Sequence, residues 1–249
     1  MVTTAISPAP GDQEPEAKIS AIGRVFGVLF SPKATFEDIV RKPSWIAPLL
    51  LIMLFGTGAG IMVGQKVDWN SFVRKQSEQR SAFNNLPQEQ QDQQVAIGAK
   101  IAPIAANFTA ISIVIILLIL TLILWLAFNL FAGASLKFSV PWSIICYASV
   151  PTILSSILGI IVAALKAPGT LNPERFLASN LAAYLSADAP HWQLVAGGML
   201  DVFIIWTLVL TAIGFSVANP KKISSGTAYG IVFGLWFAYA VIRVGLAAM

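Results

Sequence analysis

This sequence is short of charge, cysteine and histidine. Only 11% of its 249 residues are charged, against about 25% in a typical soluble domain. Hydrophobic residues make up 56%, and the mean hydropathy is +0.74. That deficit excludes an ordinary soluble globule and points to a polytopic membrane protein. The single cysteine, Cys146, excludes an internal disulfide and any thiolate metal cluster, and the single histidine, His191, excludes a His–His metal site. An H-E-x-x-H motif, a Gly-rich phosphate loop and a Ser–His pairing within the apolar segments are all missing. No catalytic residue, cofactor or metal ligand is therefore expected, and the chain does not read as an enzyme. The net charge of +4 is small and no basic face is interleaved with aromatics, which leaves no case for nucleic acid. The N-terminus, M-V-T-T-A-I-S-P-A-P-G-D-Q-E-P-E, lacks the basic start and apolar core of a signal peptide. Its composition reads as a disordered tail over residues 1–18.

What the sequence does have is long charge-free runs, and the first organises the rest. From Ser31 to Gly64 it reads S-P-K-A-T-F-E-D-I-V-R-K-P-S-W-I-A-P-L-L-L-I-M-L-F-G-T-G-A-G-I-M-V-G. Ser31 can cap a helix and Pro32 suits its first turn. Phe36, Ile39 and Val40 fall on one face, with Lys33, Glu37, Asp38 and Arg41 on the other. Pro43 ends this helix and Trp45 follows at headgroup level, so Phe36, Pro43 and Trp45 read as the interfacial anchor of a span. Upstream, Ile19, Ile22, Phe26 and Leu29 recur at helical spacing. They suggest a helix lying on the membrane surface, or one packed on other cytosolic elements of the chain.

The whole reads as an all-α integral membrane bundle of five transmembrane helices with amphipathic interfacial helices. The spans fall at about 45–64, 104–132, 140–164, 195–217 and 226–248, within a membrane domain of residues 19–249. The loop after the first span predicts a helical hairpin outside the bilayer, and Asn172–Leu185 predicts an amphipathic helix in the interface. Pro151 should kink the third span. The short turns carry Lys137 and the Lys221–Lys222 pair, which favours a cytosolic N-terminus. Two charges, Asp201 and Arg243, fall inside the spans; they lie about equally far from the turn near Lys221, so they are expected to form an intramembrane ion pair. The alternative is an ion or proton path through Asp201. Gly56, Gly60 and Gly64 on the first span, and Gly226, Gly230 and Gly234 on the fifth, form small-residue ladders suited to close helix packing.

Three segments resemble the Yip1 family of membrane proteins. They are S-P-K-A-T-F-E-D-I-V-R-K-P-S-W-I-A-P-L, then F-A-G-A-S-L-K-F-S-V-P-W-S-I-I-C-Y-A-S-V-P-T-I-L, then L-D-V-F-I-I-W-T-L-V-L-T-A-I-G-F. The resemblance implies a five-helix bundle with a cytosolic N-terminus. The family's eukaryotic members are linked to vesicle traffic and bind small prenylated GTPases. This chain has a short tail and E-D-I-V-R-K-P-S-W where those members show D-L-x-G-P. It is more similar to the prokaryotic branch, which implies a prokaryotic cytoplasmic membrane, and the GTPase role is carried over to no residue here.

Two functional classes follow. The first is a non-enzymatic membrane-organising or adaptor protein. The second is a transporter or channel built on Thr121 and Asn129 in the second span and Ser149, Thr152, Ser155 and Ser156 in the third. Those groups could equally hydrogen-bond to their own carbonyls. The expected partners are the lipid bilayer and either a second copy of the chain, as a homo-oligomer, or another membrane protein.

Overall fold

The computed structural model describes residues 18–248 apart from Arg80 and Ala187, so nearly all of the tail expected over residues 1–18 lies outside the described residues. Among the described residues the secondary structure is helical, and the one extended pairing is an isolated bridge between Asn180 and Asp201. Helix α1 (Ala21–Phe30) is opened by Ser20, whose hydroxyl accepts from the Gly23 N–H at 3.1 Å. It turns at Ser31 into α2 (Pro32–Arg41), and α3 (Ile46–Gly64) follows. Beyond α3, α4 (Trp69–Glu78), the single turn α5 (Ser81–Asn84) and α6 (Gln88–Asn107) form a hairpin tied by Arg74 and Asp92 at 2.6 Å.

Helix α7 (Thr109–Phe131) starts after a break at Phe108, whose φ of −95° and ψ of 8° leave the helical region. The second apolar helix therefore begins at Thr109, whereas the sequence suggested about residue 104. A tight turn leads to α8 (Ser139–Ala148) and α9 (Pro151–Leu165). Pro151 breaks them apart. It supplies no N–H, and the ladder tightens to three-residue bonds from Val150 to Tyr147, Thr152 to Ser149 and Ile153 to Val150.

The amphipathic helix expected over 172–185 is absent. The backbone is engaged elsewhere: Val202 N–H donates to the Ser179 carbonyl and Leu181 N–H to the Leu200 carbonyl, which holds 179–181 extended until a 3-10 turn, Leu181–Tyr184. Then come α10 (His191–Met199), α11 (Val202–Ala218) and α12 (Ser225–Ala247). Gly197 of α10 lies against this turn, where an added Cβ would sit 2.7 Å from the Ala182 nitrogen.

Four stretches are long and apolar enough to cross a membrane: α3, α7, α8–α9 taken together, and α12. The expected fourth span, 195–217, is broken at Leu200 and Asp201, leaving the apolar helix Val202–Ala218 of 17 residues. Its two ends are nonetheless tied to opposite ends of the bundle. Val202 N–H donates to Ser179 in the segment after α9, while Asn219 donates from Nδ2 to the Ala134 carbonyl, 3.0 Å away, in the turn before α8. The core sits where α2, α3, α7, α8 and α11 meet. Phe128 and Phe215 stack there with centroids 4.0 Å apart, and Phe36, Ile144 and Tyr147 are fully buried.

Candidate functional site

The densest polar cluster lies where the N-terminal hairpin meets the bundle, and it is built around Arg24. The hairpin turns at Ser31, so α1 and α2 lie side by side and Arg24 meets Asp38. Arg24 is 2% exposed, and its guanidinium is fully engaged. Nε donates to Asp38 Oδ2 at 2.9 Å and one terminal nitrogen lies 2.8 Å from the same oxygen. The guanidinium also donates to the carbonyls of Asp38 (3.0 Å) and Lys42 (2.9 Å) and to Ser44 Oγ (2.7 Å). Ser44 Oγ in turn lies 3.4 Å from the hydroxyl of buried Tyr147 in α8. Asp38 takes further N–H bonds from Lys18 (3.0 Å) and Ile19 (3.3 Å). Burial by itself pushes the Asp38 carboxyl up, but the Lys18 N–H and the Arg24 guanidinium outweigh it and hold the group below its ordinary value.

This arrangement reverses part of the amphipathic reading. Asp38 is buried rather than on a solvated face, because it lies across from Arg24. Phe36, expected at the membrane interface, is buried in the bundle against Gly214 and Ile144; a Cβ at Gly214 would meet Ile144 at 2.5 Å and the Phe36 ring at 3.1 Å. Pro43 and Trp45 stay at the surface, the Trp45 ring 6.0 Å from that of Trp142. On α1, Arg24, Val25 and Val28 face inward, whereas Ile22, Phe26 and Phe30 are exposed by 55%, 61% and 81%. The hairpin is therefore fastened by a charge and presents a stripe of large apolar side chains outward.

The structure does not bring Asp201 and Arg243 together. Asp201 sits at the start of α11, where its Oδ1 accepts from the N–H groups of Phe203 (2.8 Å) and Ile204 (3.2 Å) as a helix cap. Its Oδ2 accepts from Ser179 Oγ at 2.5 Å. The helix break at Leu200–Asp201 makes Asp201 a terminal cap, not a mid-span carboxylate. Arg243 lies in the last turns of α12, with its guanidinium carbon 5.9 Å from the Tyr239 ring centroid.

The two glycine ladders have different surroundings. A Cβ at Gly56 would meet Ile113 at 2.7 Å, and one at Gly60 would meet Thr109 at 2.9 Å, so both lie against α7. The Gly64 carbonyl accepts from the Trp69 indole at 3.0 Å. On α12, nothing lies within 4 Å of a Cβ at Gly230 or Gly234, and Gly226 meets only Ser224, at 3.8 Å.

Most of the polar groups noted in the second and third spans are used locally. Thr121, Ser149, Thr152 and Ser156 donate to carbonyls three or four residues back, and Asn129 clamps the turn by exchanging bonds with the Leu136 backbone. Among the described residues, no three His, Cys, Asp or Glu side chains gather to hold a metal.

Comparison with known proteins adds an identity to this geometry. The Yip1 domain model matches residues 26–247. The chain is similar to the membrane protein YknW of Bacillus subtilis, 26% identical over 225 residues that cover 87% of this chain and 88% of the relative. No solved structure matches.

Proposed function

This chain belongs to the Yip1 domain family, and on that premise we propose that it is a non-enzymatic membrane-organising or adaptor protein whose N-terminal hairpin is its docking element. One observation carries the reading: the Arg24–Asp38 lock fixes α1 to α2, which is seated on the bundle through Phe36, while leaving Ile22, Phe26 and Phe30 outward. A helix held rigidly in that pose can lay its stripe into the headgroup boundary or against a partner helix without first being ordered. In this reading the chain crosses a prokaryotic cytoplasmic membrane five times with its N-terminus in the cytosol. The ties of Val202 to Ser179 and of Asn219 to Ala134 support counting α11 as a short fifth span; 17 residues is the lower limit of the usual range. The partner is another membrane protein or a second copy. The test is crosslinking and affinity capture from native membranes by the full chain and by an Ile22→Ser/Phe26→Ser/Phe30→Ser variant. A specific partner lost in the variant supports the reading, and an unchanged partner set sinks it.

A second reading, transport of a small molecule or ion, draws on the helix breaks at Ser149–Val150 and Leu200–Asp201, since transporters place sites at interrupted helices. Solute flux in proteoliposomes that Thr152→Val or Asp201→Asn abolishes would favour it over the adaptor.

A further inference from the structure

At the end of the bundle opposite the N-terminal hairpin lies a cleft of about 240 Å³ between α4, α10 and the C-terminal turns of α12. The amides of Gln76 and Gln79, the imidazole of His191 and Arg243 line it, with Val195 and Leu246 as apolar wall. An adjoining recess shares Gln76, Gln79 and His191 and adds Lys75, Arg175 and Glu174. Among the residues lining the two recesses Glu174 is the one carboxylate; it lies 3.7 Å from His191 Nδ1 and forms no ion pair with Arg243. Arg175 donates to the Leu185 carbonyl, so its charge too is met by no carboxylate in the structure's ion pairs among the described residues. Helix α10 begins at His191 with no side-chain cap, so the positive end of its dipole adds to the same cleft. The local field is cationic and the donors are amide, imidazole and guanidinium, a set matched to an oxyanion.

The cleft's depth says which oxyanion. Trp192, next to His191, and Tyr239, one turn from Arg243, are 42% and 51% exposed, and such rings settle at headgroup level. On α12 the exposed apolar side chains Val241, Ile242 and Leu246 run up to the cleft. Its volume is below the roughly 300–1,000 Å³ of sites that enclose a drug-sized ligand, so it takes a headgroup and leaves acyl chains on the outer wall. We propose that this cleft binds the phosphodiester headgroup of an anionic phospholipid, with Arg243 and His191 as its main donors. The proposal goes beyond the adaptor reading and does not depend on it, since either an adaptor or a transporter could carry such a site.

The experiment uses the full chain in detergent, with lipid binding read by native mass spectrometry against phosphatidylglycerol, phosphatidylcholine and inorganic phosphate. Wild type should hold phosphatidylglycerol about tenfold more tightly than phosphatidylcholine. Arg243→Gln should lose about tenfold, the effect of removing one charge-assisted bond. Arg74→Gln, which removes an exposed charge paired with Asp92 in the α4–α6 hairpin, should change binding less than twofold. If Arg243→Gln disturbs folding, His191→Gln carries the same test from the facing helix. Equal losses in the Arg243 and Arg74 variants, or no preference for phosphatidylglycerol, would overturn the proposal. Phosphate that binds with the same sensitivity to Arg243→Gln, without lipid retention, would make the ligand a soluble oxyanion and overturn the lipid assignment.

Discussion

Replacing Arg24 with methionine tests how the N-terminal hairpin is held. Methionine keeps most of the stem volume but removes a guanidinium that makes bonds to Asp38, to the Asp38 and Lys42 carbonyls and to Ser44. What remains is a carboxylate 4% exposed, held only by the N–H groups of Lys18 and Ile19. Removing one partner of a buried pair costs about 3–5 kcal/mol, which raises the open population of the hairpin by roughly two to three and a half orders of magnitude. The assay is native to the chain. Cys146 is its only thiol, is fully buried, and precedes Tyr147, which Ser44 reaches across the hairpin junction. Its rate of reaction with a maleimide in detergent therefore reports opening at this junction. Arg24→Met should speed it by at least about a hundredfold, and Asp38→Leu alone by a comparable amount. The double variant Arg24→Met/Asp38→Leu should be much less affected than the sum of the two, because no unpaired charge remains. Acid should act in the same direction. Asp38 is held below its ordinary value, so its contribution is whole above the unfolded value near pH 3.9 and disappears as pH falls through the lowered folded value. An Arg24→Met protein whose Cys146 reacts at the wild-type rate would refute the lock.

Three further outcomes follow from the geometry. Gly214→Ala should destabilise the protein by about 1–3 kcal/mol, read by thermal unfolding in detergent, because the new Cβ meets Ile144 at 2.5 Å and Phe36 at 3.1 Å; a neutral result would mean α2 is not seated on α11. Gly60→Leu should be similarly costly against Thr109, whereas Gly230→Leu should leave unfolding unchanged and register, if anywhere, in the mass measured by light scattering. Asp201→Ala should cost about 0.5–2 kcal/mol as a lost helix cap, with Arg243→Gln near neutral for stability; equal and strongly coupled losses in the two would restore an ion pair the structure does not show.

The apolar runs made α3, α7 and α12 legible, and Pro151 announced the break between α8 and α9, because lack of charge and lack of an N–H are local properties of sequence. Arg24 was not legible. A charge near a terminus reads as solvated, and two of its partners, the Asp38 and Lys42 carbonyls, leave no mark in the sequence. The stripe of Ile22 and Phe26 was legible as an apolar face, and the structure leaves it outward; periodicity alone left open whether it lay on a membrane surface or packed inward, because an amphipathic pattern does not say which face is buried. Asp201 was hidden by hydrophobic residues on both sides. The available clue was G-G-M-L-D, a glycine pair followed by a residue that favours helix starts. The chemistry of the cleft was beyond reach because Gln76, His191 and Arg243 come from three separated helices.

The Arg24 cluster also sets an order of assembly. Its partners Asp38, Lys42 and Ser44 lie 14, 18 and 20 residues away, all encoded before α3. The hairpin can close as soon as those residues leave the ribosome, ahead of any insertion event. Its seat on the bundle needs Tyr147, 103 residues beyond Ser44, and Gly214 of α11. On the five-span topology proposed above, the hairpin is complete before three further insertions, and its seating over α8 and α11 comes only when the penultimate helix arrives.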